Sequence, residues 1–177
     1  MHLVEKIGNN GLLLMLGFGI LYSLFGIFGA DMYVAWFNVE NANVNVFAVD
    51  YMHIISYFGI AFFTVNLFNG VYDGLGKTIN TLFVTASGLI LNIILDPIFI
   101  LNEVNVFGLF TIQGLGMGVS GAAWATGIGQ SSILFTYAVI YMSKWKPFAI
   151  RIIKQFDLKI IKQIFNIGVF VGVQSML

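Results

Sequence analysis

The sequence predicts an all-α polytopic membrane protein with four transmembrane helices and the start of a fifth. Apolar residues make up 59% of the 177 residues and charged residues only 9%, against roughly 25% charged in an ordinary soluble domain. Eight Lys and Arg balance eight Asp and Glu, and there is no cysteine. This composition excludes a disordered chain, a nucleic-acid binder with a basic face, and a disulfide framework or thiolate metal site.

Apolar runs place the membrane-spanning helices, because a span needs about 20 mostly apolar residues. We expect spans at about 11–29, 51–72, 78–101 and 114–142. The first run is too long for a cleavable signal and has no small-residue cleavage site after it. A fifth run covers 163–177 and is shorter than a span, so we expect the chain to end inside a helix.

The basic residues predict the orientation of these spans. Under this assignment every basic residue lies in one of three segments: before the first span, between spans two and three, or between spans four and five. These segments lie on one side of the membrane, and the positive-inside rule makes that side cytoplasmic. They are Lys6, Lys77, Lys144, Lys146, Arg151, Lys154, Lys159 and Lys162. The two remaining loops, 30–50 and 102–113, contain no Lys or Arg. We therefore expect them outside a plasma membrane and the basic loops in the cytoplasm.

Residues 143–162 are the one strongly charged stretch. Apolar residues recur there at near-helical spacing, with basic residues between them, which predicts an amphipathic helix on the inner membrane face. The apolar set is Ile150, Ile153, Phe156, Ile160, Ile161 and Ile164. An ordinary basic cytoplasmic loop is the alternative. We expect this segment to separate two membrane halves, 1–142 and 163–177.

Asp96 is the one acidic residue inside any predicted span. A carboxylate at membrane depth is costly, so it usually faces the bundle interior or a watery cavity. Asn92 lies four residues earlier on the same helical face, and Pro97 frees the carbonyl of Ile93 because proline cannot donate to it. Such oxygens suit a proton or a hard cation. The alternative is that Asp96 lies near the outer helix end and reaches interfacial water.

Other motifs are interpreted as structural. The GMGVSG sequence at 116–121 matches a dinucleotide fingerprint, but no acidic residue follows at the required distance, so we expect its glycines to let helices pack closely. The GKT sequence at 76–78 is expected to be a tight turn. His2 and His53 lie far apart, which gives no metal site. Polar residues in the spans, including Ser131, Ser132 and Thr136, are expected to join helices by hydrogen bonds.

Three stretches resemble the multidrug and toxic compound extrusion (MATE) family. They are NGVYDGLGKT at 69–78, NIILDPIFI at 92–100 and GVSGAAWATGIGQ at 118–130. The most specific is the second, which is similar to the Asn-x-x-Leu-Asp-Pro pattern of the family's fifth helix. Residues 167–175 resemble the start of its seventh helix, so the resemblance covers nearly the whole chain. It implies a fragment of a twelve-helix, two-lobed transporter: helices three to six of the N-terminal lobe, the loop between the lobes, and part of helix seven.

The resemblance also implies roles for particular residues. Asn92, Asp96 and Thr126 correspond to residues that bind the coupling Na⁺ or H⁺ in relatives, in a site that needs the first helix for completion. Asn69 corresponds to a residue that lines the cavity around this ion site, and Asn66, three residues earlier, could share its face. We therefore expect Asn66 and Asn69 to line the substrate cavity. The missing helices of the same transporter and the lipid bilayer are the implied partners, with no cofactor beyond the coupling ion.

The predicted function is therefore cation-coupled antiport that exports amphipathic, cationic organic compounds. One alternative is a flippase for lipid-linked oligosaccharides from the same superfamily, which would more often carry basic residues inside its spans. Another is a non-functional truncated transporter or a non-transporting subunit. An intramembrane enzyme is disfavoured, because the spans offer one carboxylate and neither a His pair nor a Cys.

Overall fold

The computed structural model describes residues 2–38, 40–106, 109–143, 147–151 and 156–174. Within them the chain forms six α-helices and one β-hairpin. The helices are α1 (His2–Ala35), α2 (Ala42–Tyr57), α3 (Gly59–Gly74), α4 (Thr78–Ile100), α5 (Gly118–Met142) and α6 (Leu158–Gln174). The all-α class expected of a membrane protein is thus confirmed. The number of spans and their place in a lobe stay predictions.

Two helices among the described residues are long and apolar enough to cross a membrane, Leu3–Ala35 and Thr78–Ile100. A third is possible if α2 and α3 together form one bent span. The predicted span 114–142 is not among them, since Gly, Ser and Gln residues make the first half of α5 less apolar. Helix α1 is longer than the predicted span 11–29 at both ends. The helical backbone continues past the apolar run, including through the charged residues of its first turns.

The predicted span 51–72 is bent, not straight. Helices α2 and α3 meet at Phe58 with an angle of 57° between them. The Phe58 ring packs edge-on against Trp124, 5.6 Å between centroids, and occupies the space where a side chain on Gly127 would lie. A Cβ on Gly59 would lie 2.5 Å from Ser23 Oγ. The bend therefore brings α1 and α5 close to the helix pair where glycine leaves room.

The connection between α4 and α5 contains structure that the sequence did not predict. Strands β1 (Glu103–Val106) and β2 (Phe110–Gln113) pair antiparallel, with Glu103 opposite Gln113 and Val106 opposite Phe110. Residues 114–117 then fold back over the end of α4, where the N–H groups of Leu115 and Met117 donate to the carbonyls of Ile98 and Phe99 at 2.8 and 2.9 Å. These bonds satisfy carbonyls that a helix end leaves unpaired.

Helices α3, α4 and α5 enclose the main buried cluster. Tyr137 of α5 stacks on Phe68 and Tyr72 of α3, with ring centroids 5.3 and 5.5 Å apart. Val84 of α4 joins the same cluster.

Helices α4 and α5 cross where glycines meet, and a side chain on Gly88 would overlap Ile133. Close packing is likewise confirmed for Gly121, whose added Cβ would lie 2.5 Å from the carbonyl oxygen of Phe99.

The segment predicted as an amphipathic helix at 143–162 is helical in its described part only at 158–162. Residues 147–151 are not helical, and α6 begins at Leu158. The backbone there bonds to side chains of α1, which replaces helical pairing. Residues 144–146 and 152–155, with Lys144, Lys146, Ile153 and Lys154, lie outside the described residues, as do 175–177. The tight turn expected at 76–78 is present, since Lys77 N–H donates to Tyr72 O at 2.9 Å.

Candidate ion-binding site

Asn92 and Asp96 form a side-chain pair on α4. Asn92 Nδ2 donates to Asp96 Oδ1 at 3.3 Å, and both side chains are half-buried. The spacing of four residues places both side chains on one helical face, as the sequence predicts. The pair thus presents a carboxylate and an amide carbonyl at one place on the helix.

Pro97 lies inside α4 directly after Asp96. Because proline has no N–H, the carbonyl of Ile93 lacks its usual intrahelical donor. The helix nevertheless continues, and Leu101 N–H donates to Pro97 O at 3.1 Å. A third oxygen is therefore available for an added ligand one turn from Asp96.

Asp96 lies close to the end of α4 that leads into the hairpin. Four residues separate it from Ile100, the last of the helix, which is about 6 Å of helical rise. The side chain is half-buried, so it has access to the protein interior and to the end of the bundle. Both predicted positions, cavity-facing and interfacial, fit this placement.

Helix α5 packs beside the pair and carries Thr126. A Cβ on Gly129 would lie 3.2 Å from Asn92 Cβ, and Gly121 lies against Phe99. Thr126 falls between these two contacts and is half-buried. No hydrogen bond among the described residues joins Thr126 to Asn92 or Asp96. The structure therefore puts Thr126 at the level of the pair without direct bonding.

Asn66 and Asn69, which the sequence suggested could share a face, have different surroundings. Asn66 is exposed, donates to Phe62 O at 2.9 Å, and lines a cavity of about 410 Å³ between α1 and α3. Asn69 accepts a hydrogen bond from the hydroxyl of Tyr137 and joins α3 to α5. It does not line that cavity, because its carboxamide points to the α5 side of α3.

A larger cavity of about 890 Å³ lies between α1, α2 and the start of α5. None of the described residues that line it carries a charged side chain. The aromatic members of the lining are Tyr22, Phe25, Tyr33, Phe37, Phe47 and Tyr51. Sequence reasoning missed this cavity, because its residues come from three helices whose mutual positions the sequence pattern does not give.

Several polar side chains do not make the interhelical bonds expected of them. Ser131 and Thr136 donate to carbonyls four residues earlier on α5, those of Gly127 and Ser132, and Ser132 donates to Gly129 O. Hydroxyl side chains commonly bond to their own helix in this way. In contrast, the buried oxygens of Thr85 and Gln130 have no partner within the described part of the chain.

The described residues contain no cluster of three or more His, Cys, Asp or Glu side chains. At the pair on α4, a cation would meet one carboxylate, from Asp96, together with neutral oxygens such as the amide oxygen of Asn92. The amide and the carboxylate are hard ligands of the kind that bind such cations.

Sequence reasoning also missed Asn9 and Asn10, which are each 1% exposed. The adjacent amides lie directly before the first apolar run. Two neighbouring Asn residues at the start of a long helix are the signal that could have drawn attention to them.

Comparison with known proteins gives one family match. A family model described as MatE matches residues 1–98. The match covers α1 to α3 and most of α4, including Asn69, Asn92 and Asp96, whereas Thr126 lies beyond it. No curated protein and no solved structure is significantly similar to the chain. Beyond residue 98, family likeness therefore depends on the motifs at 118–130 and 167–175.

Proposed function

The chain belongs to the MatE family, whose members are membrane transporters, and from this premise we propose that it serves in secondary-active multidrug efflux. Inward movement of Na⁺ or H⁺ across the plasma membrane would drive export of amphipathic, cationic organic compounds. In this proposal the chain supplies helices of the N-terminal lobe, and further helices of the same transporter complete the ion site and the second lobe.

The Asn92–Asp96 pair is the observation that carries this proposal. Placing a carboxylate among lipid chains costs several kcal/mol, so an acidic residue inside a membrane helix usually has a functional role. Here the carboxylate accepts an amide hydrogen bond, and Pro97 inside the helix removes the N–H that would otherwise donate to the carbonyl of Ile93. A cation or proton at this place would meet a charge and neutral oxygens together.

Ion binding at Asp96 would act by shifting the balance of two conformations. A ligand moves such an equilibrium only by its difference in affinity for the two states. A buried carboxylate supplies this difference, since it is costly in a state that closes around it empty and stabilised in a state that holds a cation. Asp96 would thereby link ion entry to the orientation of the lobe.

The aromatic cavity supports the substrate class. Its volume of about 890 Å³ is that of a site for a drug-sized molecule. Aromatic rings offer apolar faces to flat organic compounds and attract cationic groups over those faces. Asn66 lines the separate, smaller cavity and would offer a polar contact to a compound bound there.

The test is the substitution Asp96→Asn in the full-length protein, reconstituted in vesicles. Ethidium export driven by an imposed Na⁺ or proton gradient is expected to fall at least about tenfold, because the neutral amide cannot hold the ion's charge. The matched control is Asp50→Asn, which removes an exposed carboxylate from α2 and should leave export unchanged. Full gradient-driven export by the Asp96 variant would refute the proposal.

The oligosaccharide flippase alternative is tested in the organism that carries the gene. A flippase would be expected to use basic side chains inside its spans to bind the pyrophosphate of a lipid-linked sugar. Helices α2 to α5 contain no Lys or Arg within their bounds. A deletion strain that loses surface glycan and keeps normal drug tolerance would favour the flippase.

A further inference from the structure

Asn9 holds the segment between α5 and α6 through both ends of its carboxamide. Its Nδ2 donates to Ala149 O at 2.8 Å, and its Oδ1 accepts from the N–H of Arg151. The side chain thus bonds to the carbonyl of one residue and the N–H of the second residue after it, as a peptide of a neighbouring strand would. We call residues 147–151 and 156–157 the strap.

Asn10 holds the other end of the strap. Its Oδ1 accepts from the N–H of Asp157 at 2.9 Å. Asp157 in turn starts α6, because its Oδ1 accepts from Lys159 N–H at 3.0 Å and its carbonyl accepts from Ile161 N–H at 3.1 Å. Lys6 Nζ lies 3.9 Å from Asp157 Oδ2. The residue that begins α6 is therefore bound to α1.

Burial makes these contacts costly to break. Asn9 and Asn10 are each 1% exposed, and their Nδ2 atoms also donate to Glu5 O and Lys6 O, both at 2.8 Å. A buried amide that loses its partner carries a desolvation penalty. Release of the strap would leave two neighbouring amides without these partners.

Phe148 anchors the strap a third time, in the apolar core. It is 3% exposed and stacks on Phe68 with 6.2 Å between ring centroids. A Cβ on Gly8 would lie 2.7 Å from the ring, so the glycine makes room for it. The hydroxyl of Tyr141 also accepts from Ile150 N–H at 2.7 Å. Helices α1, α3 and α5 therefore all contact the strap.

We propose that Asn9 and Asn10 are positioning residues of the transport cycle, which keep the strap fixed on α1 in every conformation. The start of α6 then moves as one body with α1 to α5, and motion relative to the second lobe begins after Asp157. This rests on the proposed function. The opposite arrangement is a strap that detaches in one state and acts as a gate.

A disulfide across the contact tests the proposal in the full-length protein. In the variant Gly8→Cys with Phe148→Cys, the two Cβ atoms would lie within about 4.3 Å of each other, since the Cβ position at Gly8 is 2.8 Å from Phe148 Cγ and a disulfide needs about 3.5–4.5 Å. The sequence has no cysteine of its own, and any cysteine elsewhere in the protein is replaced beforehand.

The disulfide is expected to form equally with and without Na⁺, at low and high pH, and with ethidium. The oxidised variant is expected to export ethidium as fast as the same variant reduced, so the reduced form controls for the lost Phe148 ring. Disulfide yield that depends on ion or ethidium, or export that stops on oxidation and returns on reduction, would overturn the fixed strap.

A second pair tests where motion begins. Phe18 of α1 and Phe165 of α6 stack with ring centroids 6.4 Å apart, two turns beyond the start of α6. Cysteines at these two positions, joined by a short bifunctional thiol reagent, are expected to lower export at least about tenfold. Unchanged export would mean that the whole of α6 moves as one body with α1 to α5. That result would refute the proposal that motion relative to the second lobe begins after Asp157.

The amides themselves are tested by Asn9→Leu and Asn10→Leu, each added to the cysteine pair at 8 and 148. Each is expected to slow disulfide formation and lower the export rate without changing the ethidium concentration for half-maximal rate. Asn80→Leu, which alters an exposed Asn of α4, is the control. Unchanged disulfide formation in both strap variants would refute the role of the amides.

Absence of ethidium export by the unaltered protein would refute the proposed function alone, since the disulfide measurement does not need transport.

Discussion

Asn69 shows how one side chain can have a structural role where a family resemblance suggests a site. Its carboxamide accepts from the Tyr137 hydroxyl, and this bond joins α3 to α5 inside the buried cluster. Tyr137 is 1% exposed, so its hydroxyl cannot turn to water instead, whereas Asn69 is half-buried. The structural role therefore has direct support, and a place for Asn69 in an ion or substrate cavity stays a proposal.

Removing the hydroxyl should measure that role. Tyr137→Phe keeps the ring stacks and loses the donor, so we expect a loss of about 1 kcal/mol in stability, because the hydrogen bond to the half-buried Asn69 is removed. In a double-mutant cycle with Asn69→Leu, the two losses should not add. The measurement is the thermal unfolding midpoint in detergent, with exposed Tyr57→Phe as control. Fully additive losses would show that the bond is unimportant.

Among the secondary-structure elements, the connection from the hairpin to α5 is held by residues 114–117, which fold back over the end of α4. Gly116 has φ 61° and would carry its Cβ onto Asn102 Oδ1, whereas Gly118 has φ 57° and open space around it. Both glycines occupy a conformation that other residues adopt only at a cost. Crowding distinguishes the two positions.

Alanine at these two positions should separate strain from crowding. Gly118→Ala is expected to cost about 1–2 kcal/mol from backbone strain alone. Gly116→Ala should cost more, since the Asn102 side chain must also move. Thermal unfolding of the two variants in detergent measures the difference, and equal costs would contradict the crowding seen at Gly116.

The bend between α2 and α3 is the clearest case of an element that depends on its neighbours. The run 51–72 contains no proline and reads as one apolar helix. It breaks at Phe58 because that ring enters the space beside Gly127 while Gly59 lies against α1. Helix propensity is a weak local term that such packing overrides.

At the scale of the whole molecule, the orientation in the membrane stays a prediction from charge. The described structure places Lys77 in the turn before α4 and Thr111 in the hairpin after α4, so the two residues lie beyond opposite ends of that helix. In intact cells, an impermeant maleimide should label Thr111→Cys and should label Lys77→Cys only after permeabilisation. Labelling of the lysine position in intact cells would reverse the topology.

The features that follow from composition and short spacing were predictable before the helices were placed in space. The low charge and long apolar runs predicted a helical membrane protein, and the family match confirmed the transporter class. The Asn92–Asp96 pair was also predictable, because four residues make one helical turn and place both groups on one face. These features need no knowledge of distant contacts.

Contacts between residues far apart in the sequence were not predictable and depend on the packing of the helices. Asn9 bonds to Arg151 across 142 positions, Asn10 to Asp157 across 147, and Asn69 to Tyr137 across 68. No periodicity links such pairs, since each depends on how whole helices pack. The strap illustrates the physical reason: its apolar and basic residues predicted a helix, but buried amides on α1 offered its backbone better partners.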